Sequence, residues 1–336
     1  MRDYSLDVLR ILACLMIVTM HSPLPGSEEN NLFLSSVSYL TAPGVGLFFM
    51  ISGALLLPIK TSTTVFLKKR FTKIVIPLLF WSIVSLTVNA LVKEIPLSWK
   101  NVASLPFSVQ ANPTYWFLYT LTGLYLLSPI LSCWLTKASR KELEFFLLLW
   151  GISLCYPILR CILDINTTET GILYYFTGYA GYFILGYYLR RFPTALPFKW
   201  IILSFILSLI VPAICKLKDV SVDFYSLFWY LSIFVVAQCV FWWKLITHLI
   251  PEQGCPSLNR LIIRLSKRTF GIYLVHFLLI RYLLWNVPFL QSINSYAFQS
   301  FVIVLFALIL SLGLTYLLGL LPGARYIIGV SNSYDS

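Results

Sequence analysis

Three ionisable side chains stand in the first apolar run of the sequence: Asp7, Arg10 and His21, in LDVLRILACLMIVTMHS. An imidazole titrates near neutral pH and can take a proton from a hydroxyl. A guanidinium can hold a carboxylate or phosphate, or stabilise a developing oxyanion. Only ten residues, Ile11 to Met20, lie between Arg10 and His21. That is too short to cross a bilayer, which takes about 20 mostly apolar residues, so a spanning helix must include Asp7 and Arg10. At 100° per residue, the step from Arg10 to His21 is three turns plus about 20°, and the rise is about 16 Å. Asp7, Arg10, Cys14 and His21 then share one stripe. Ionisable groups inside a span face protein and not lipid. Each residue also has a plainer role: Arg10 as an anchor snorkelling to the interface, His21 as a cap at a helix end. Their grouping on one face, with Asp7 one turn from Arg10, favours a site.

Four further constellations stand out. FLKKRFTKIVIP, residues 66–77, carries Lys68, Lys69, Arg70 and Lys73. It is either a topology signal or an anion site, with Arg70 and Lys73 as i, i+3 neighbours on a helix holding a phosphate-bearing ligand. GVGLFFMISG, residues 44–53, has the small residues that let membrane helices approach closely, with Ser52 among them. Trp116, in YWFL, reads as part of an aromatic belt or as site-lining. Tyr273 and His276, in FGIYLVH, put a histidine inside an apolar run.

These residues must be positioned by a membrane bundle. The chain has 336 residues, 59% of them hydrophobic and only 11% charged, and a mean hydropathy of +0.82. Soluble domains average about 45–50% apolar and about 25% charged, so too few charges are present to coat a soluble enzyme. Disorder is excluded by the hydrophobicity, and an outer-membrane barrel by apolar runs that are continuous and not alternating. Ten apolar stretches fit spans, at 4–22, 37–58, 74–92, 115–135, 144–162, 171–189, 198–215, 224–243, 269–286 and 298–321. The expected fold is an all-α integral membrane protein, a polytopic bundle of about ten transmembrane helices with both termini cytoplasmic. Residues 1–336 read as one transmembrane domain with no fused extracytoplasmic domain. The seven cysteines read as small apolar packing residues, with no disulfide framework and no metal site expected.

The net charge of +12 belongs to topology and not to nucleic acid. Of the 25 Lys and Arg, only Lys93, Lys100, Arg160, Lys216, Lys218 and Arg281 fall on one side of such a bundle. The other nineteen define the cytoplasmic side. No Walker A motif, GxSxG elbow or HExxH is present, which argues against an ATPase, a serine hydrolase and a zincin.

The opening segment, with its Asp-x-x-Arg and then a His after ten intervening residues, resembles the bacterial acyltransferase-3 family of integral-membrane O-acyltransferases. GVGLFFMISG, KKRFTKIVIP, YWFLYTLTGLYLLSPIL, YFILGYYLRR and FGIYLVH resemble later family segments in the same order. Lys73 departs from the family's Arg-x-x-Arg segment; it keeps the charge and loses the bidentate fork. The resemblance implies acyl transfer, commonly of acetyl, from cytoplasmic acyl-coenzyme A to a hydroxyl of a cell-envelope saccharide or lipid-linked sugar, in a bacterial inner membrane. His21 would act as base or become acylated. Arg10, paired with Asp7, would orient the donor or stabilise charge. Lys69, Arg70 and Lys73 would hold the coenzyme A phosphates. A flippase or small-metabolite exporter is the competing class, but a transporter needs neither a thioester donor nor a base.

The charge split predicts that Lys68–Lys73 face the cytoplasm and Glu28–Glu29 face outward. Cysteine accessibility labelling on a cysteine-free background should therefore label Lys69→Cys only from inside. Labelling from outside would overturn this topology.

Overall fold

The computed structural model describes residues 2–27, 32–163, 172–194, 196–217 and 227–329, and among these every regular element is helical. Among the described residues, seven helical stretches are long and apolar enough to cross a membrane: Phe33–Leu56, Thr63–Leu91, Pro113–Leu135, Arg140–Leu159, Phe198–Cys215, Asn259–Asn286 and Tyr296–Gly319. Three of the ten expected spans fall on shorter helices, Tyr4–Met20 and Ile233–Leu249 at 17 residues each and Ala180–Arg191 at 12. Glu28, Glu29 and Lys218 lie outside the described residues.

Local chemistry explains the boundaries that differ from the hydropathy pattern. The helix that carries the expected span 74–92 begins well before residue 74. Ser62 caps a helix that runs from Thr63 to Leu91, so the whole basic cluster is helical. Lys and Arg are good helix formers, and hydropathy alone hides that. The sixth expected span, 171–189, instead carries a short turn at Tyr174–Phe176 and starts its helix at Ala180. Gly178, at φ +107°, interrupts the chain between the two. The helix Arg140–Ser153 opens with a Ser139–Glu142 capping box.

The chain divides into two compact units: Met1–Ile17, Ser38–Pro58 and Ile130–Ile263 in the first, and Val18–Val37, Ile59–Pro129 and Arg264–Ser336 in the second. The helix Pro43–Leu56 is the strut of the first unit. A Cβ on Gly53 would sit 1.8 Å from the Phe183 carbonyl oxygen, and one on Gly186 would sit 1.9 Å from that of Met50. The two backbones thus meet through reciprocal glycines, the close approach that small residues permit in membrane bundles. Gly46 packs the same strut against Tyr182 and Cys239. In the second unit the Trp81 indole donates to the Ile327 carbonyl at 2.8 Å, which ties Thr63–Leu91 to the short helix Ala324–Ile328. Asn89 donates to Ala111 and accepts from the Tyr282 hydroxyl.

Gly53→Ala should destabilise the protein by at least about 1–3 kcal/mol, because the obstacle is backbone and cannot rotate away. Gly123→Ala and Gly313→Ala, where nothing lies within 4 Å of the new Cβ, should be neutral or mildly stabilising. Thermal unfolding in detergent would show this order. Equal midpoints for Gly53→Ala and Gly123→Ala would contradict it.

Candidate functional site

Within the first unit, Asp3 and Asp7 organise the start of the helix Tyr4–Met20. The Asp3 carboxylate accepts from the Leu6 amide and the Ser5 hydroxyl, so it caps the helix N-terminus. Asp7 is buried, and two guanidiniums share its carboxylate: Arg10 at 3.3 Å and Arg2 at 2.5 Å. The Asp7–Arg10 pair expected from the sequence is present, and Arg2 is a third member that the spacing argument did not supply. Removing either arginine would leave a buried carboxylate short of its compensation. Ser52 is half-buried in the strut helix beside Gly53.

Within the second unit, His21 follows the last residue of its helix. Ser22 folds the turn back, with both its amide and its hydroxyl donating to the Thr19 carbonyl. The Trp285 indole donates to the Ser22 carbonyl at 3.2 Å. The His21 ring meets His276, with Nδ1 of His21 and Nε2 of His276 3.3 Å apart and ring centroids at 5.3 Å. The Phe277 ring stands edge-on to His21 at 5.3 Å, and Trp285 packs against Phe277.

His276 is fully buried in the helix Asn259–Tyr282. Its Nδ1 lies 2.7 Å from the Tyr273 carbonyl oxygen. A carbonyl only accepts, so Nδ1 carries the proton. Two tyrosines clamp this helix to the turn Pro113–Tyr115. The Tyr115 hydroxyl donates to the Leu274 carbonyl at 2.7 Å, and the Tyr273 hydroxyl donates to the Thr114 carbonyl. Trp116, named from the sequence, is half-buried next to Tyr115, the residue that makes this bond. The histidine-bearing backbone is therefore fixed on both sides of the ring's own anchor.

The basic cluster separates into two faces of one helix. Val65, Lys68, Lys69, Thr72 and Lys73 line an open pocket of about 420 Å³, with Tyr326 and Gly329 completing the lining. Those five positions are i, i+3, i+4, i+7 and i+8, a single helical stripe. Arg70 is not among the lining residues. Its guanidinium lies 5.5 Å from the Phe66 ring and 6.0 Å from the Tyr125 ring, a cation–π arrangement. Lys68, which the sequence reading did not single out, takes the place expected for Arg70. The pocket wall is mostly apolar, built from the lysine stems together with Val65 and Tyr326, while the three lysine side chains are themselves exposed.

Apolar helices of spanning length define a multi-pass membrane protein, in which a buried histidine meets a half-buried one and three lysines line one pocket. The chain belongs to the acyltransferase-3 family: the family model, described as an acyltransferase domain, matches residues 3–320. That match includes Asp7, Arg10, His21, Lys69, Arg70, Lys73 and His276, and it makes the protein a membrane acyltransferase. No curated protein and no solved structure matches the chain.

Proposed function

We propose that the protein moves an acyl group, in the simplest case acetyl, from a cytoplasmic acyl-coenzyme A to a hydroxyl of a cell-envelope saccharide or lipid-linked sugar in a bacterial inner membrane. The donor assignment rests on one observation, the pocket shared by Lys68, Lys69 and Lys73. Coenzyme A carries several phosphates, and three cations on one helical stripe can meet them without a competing carboxylate in the lining. Ten spans with both termini cytoplasmic would leave that stripe open to the donor's compartment.

In this reading His21 is the general base. It takes the proton of the acceptor hydroxyl as that oxygen attacks the thioester carbonyl. The new C–O bond forms, the C–S bond breaks, and the coenzyme A thiolate leaves with the proton returned to it. Arg10, its charge held by Asp7 and about three helical turns from His21, serves the donor's polar arm and not the reacting carbonyl. Arg70 packs over Phe66 of its own helix and against Tyr125 of the helix Trp116–Leu135, and so supports the stripe without contacting phosphate.

Binding of acetyl-coenzyme A to purified protein tests the donor site. Lys68→Ala, Lys69→Ala and Lys73→Ala should each weaken it by about three- to tenfold, one charged contact apiece. Lys73→Arg should bind at least as well as the parent, and added salt should weaken binding. Wild-type affinity in all three alanine variants would reduce the cluster to a topology signal.

A further inference from the structure

The two histidine rings are linked in a way that selects a tautomer. His276 Nδ1 donates to the Tyr273 carbonyl. In a neutral imidazole the other nitrogen must then accept. Nε2 of His276 faces Nδ1 of His21 at 3.3 Å. The only proton that can fill that contact belongs to His21 Nδ1. His21 in this form carries its lone pair on Nε2, the nitrogen pointing away from His276.

We infer that His276 is a positioning residue, which holds His21 as the Nδ1–H tautomer and so makes His21 Nε2 the atom that accepts the substrate proton. The inference rests on the reading of His21 as the general base and specifies which nitrogen does the work. The chain of orientation runs from the Tyr273 carbonyl through His276 to His21, the arrangement in which a third group orients a base. The orienting group here is a neutral ring and not a carboxylate, which suits a site inside a span. A carboxylate there would need its own cation, as Asp7 has in Arg2 and Arg10. The anchor is rigid because Tyr273 and Leu274, just before His276, are held by the Thr114 carbonyl and the Tyr115 hydroxyl.

The chain has three histidines, so the tautomers can be read directly. The full chain, labelled with 15N-histidine and carrying His248→Asn to clear the third signal, would be examined by two-bond 15N–1H correlation. Two neutral rings, both protonated at Nδ1, are expected. His21 protonated at Nε2 in this protein would overturn the inference, whether or not acyl transfer is ever detected. Conversely, the expected spectrum in a protein with no acyl transfer would sink the functional reading and leave the positioning intact.

Two variants separate orientation from packing. His276→Leu offers no acceptor, and should shift His21 towards Nε2–H and lower kcat by at least about tenfold with KM for acyl-coenzyme A unchanged. His276→Gln can place its carbonyl oxygen near the lost Nε2 and should restore most of both. An unchanged His21 tautomer in folded His276→Leu would refute the role. If His276→Leu fails to fold, the spectrum of the His276-containing protein decides.

Discussion

Inside a bilayer no water is available to satisfy a polar group, so each one must find its partner within the protein. That constraint orders this molecule. Helices satisfy their own backbone, and helical structure follows throughout the described residues. What remains are polar side chains, and two of them, Asp7 and His276, show two different solutions. Asp7 is matched by two cations. His276 is matched by a carbonyl on one nitrogen and a second imidazole on the other. A charged pair and a neutral relay are different solutions to the same shortage of solvent, and they carry different chemistry.

The scaffold around each solution is built to hold still. In the first unit, glycines bring the helices Pro43–Leu56 and Ala180–Arg191 to backbone contact, where no rotamer change can relax the fit. In the second, the reciprocal tyrosine-to-carbonyl bonds at Tyr115 and Tyr273 fix the helix that carries His276. General-base chemistry needs a ring whose lone pair is aimed before the substrate arrives, since reorientation would add to the barrier. Rigid packing, in this account, is what the catalytic residue type requires of its surroundings.

Much of this was legible in the sequence, and what was not has identifiable causes. The Asp7–Arg10 pair follows from one helical turn, because i, i+3 neighbours meet on any helix. The paired ring for His21 is 255 residues away, beyond the reach of any local periodicity. FGIYLVH marked His276 as unusual, an imidazole in an apolar run, without saying what it touches. The sequence paired Arg70 with Lys73 as i, i+3 neighbours on a helix. With the cap at Ser62 and the helix starting at Thr63, the stripe Lys68–Lys69–Lys73 separates from Arg70 by simple angular counting. Phe66, four residues before Arg70, was the readable sign of its cation–π contact, whereas Tyr125 was not. Gly178 was visible as a residue type, but its left-handed backbone was not, and the sixth span was drawn too early for that reason.

The central proposal is that His21 is the base that takes the acceptor hydroxyl's proton as the acyl group leaves coenzyme A. His21→Gln keeps a hydrogen-bonding side chain and removes the titratable base, so it tests that claim with the least disturbance. Cells lacking the gene would be given either the parent or the variant, and their envelope glycans compared by mass spectrometry, with membrane insertion and acyl-coenzyme A binding measured alongside. General acid–base catalysis is worth about 10²–10⁴-fold. The account predicts acyl-substituted glycan with the parent and at least a hundredfold less transfer with the variant, at equal insertion and donor binding. Near-normal substitution with His21→Gln would make His21 a helix-end residue and would contradict the account.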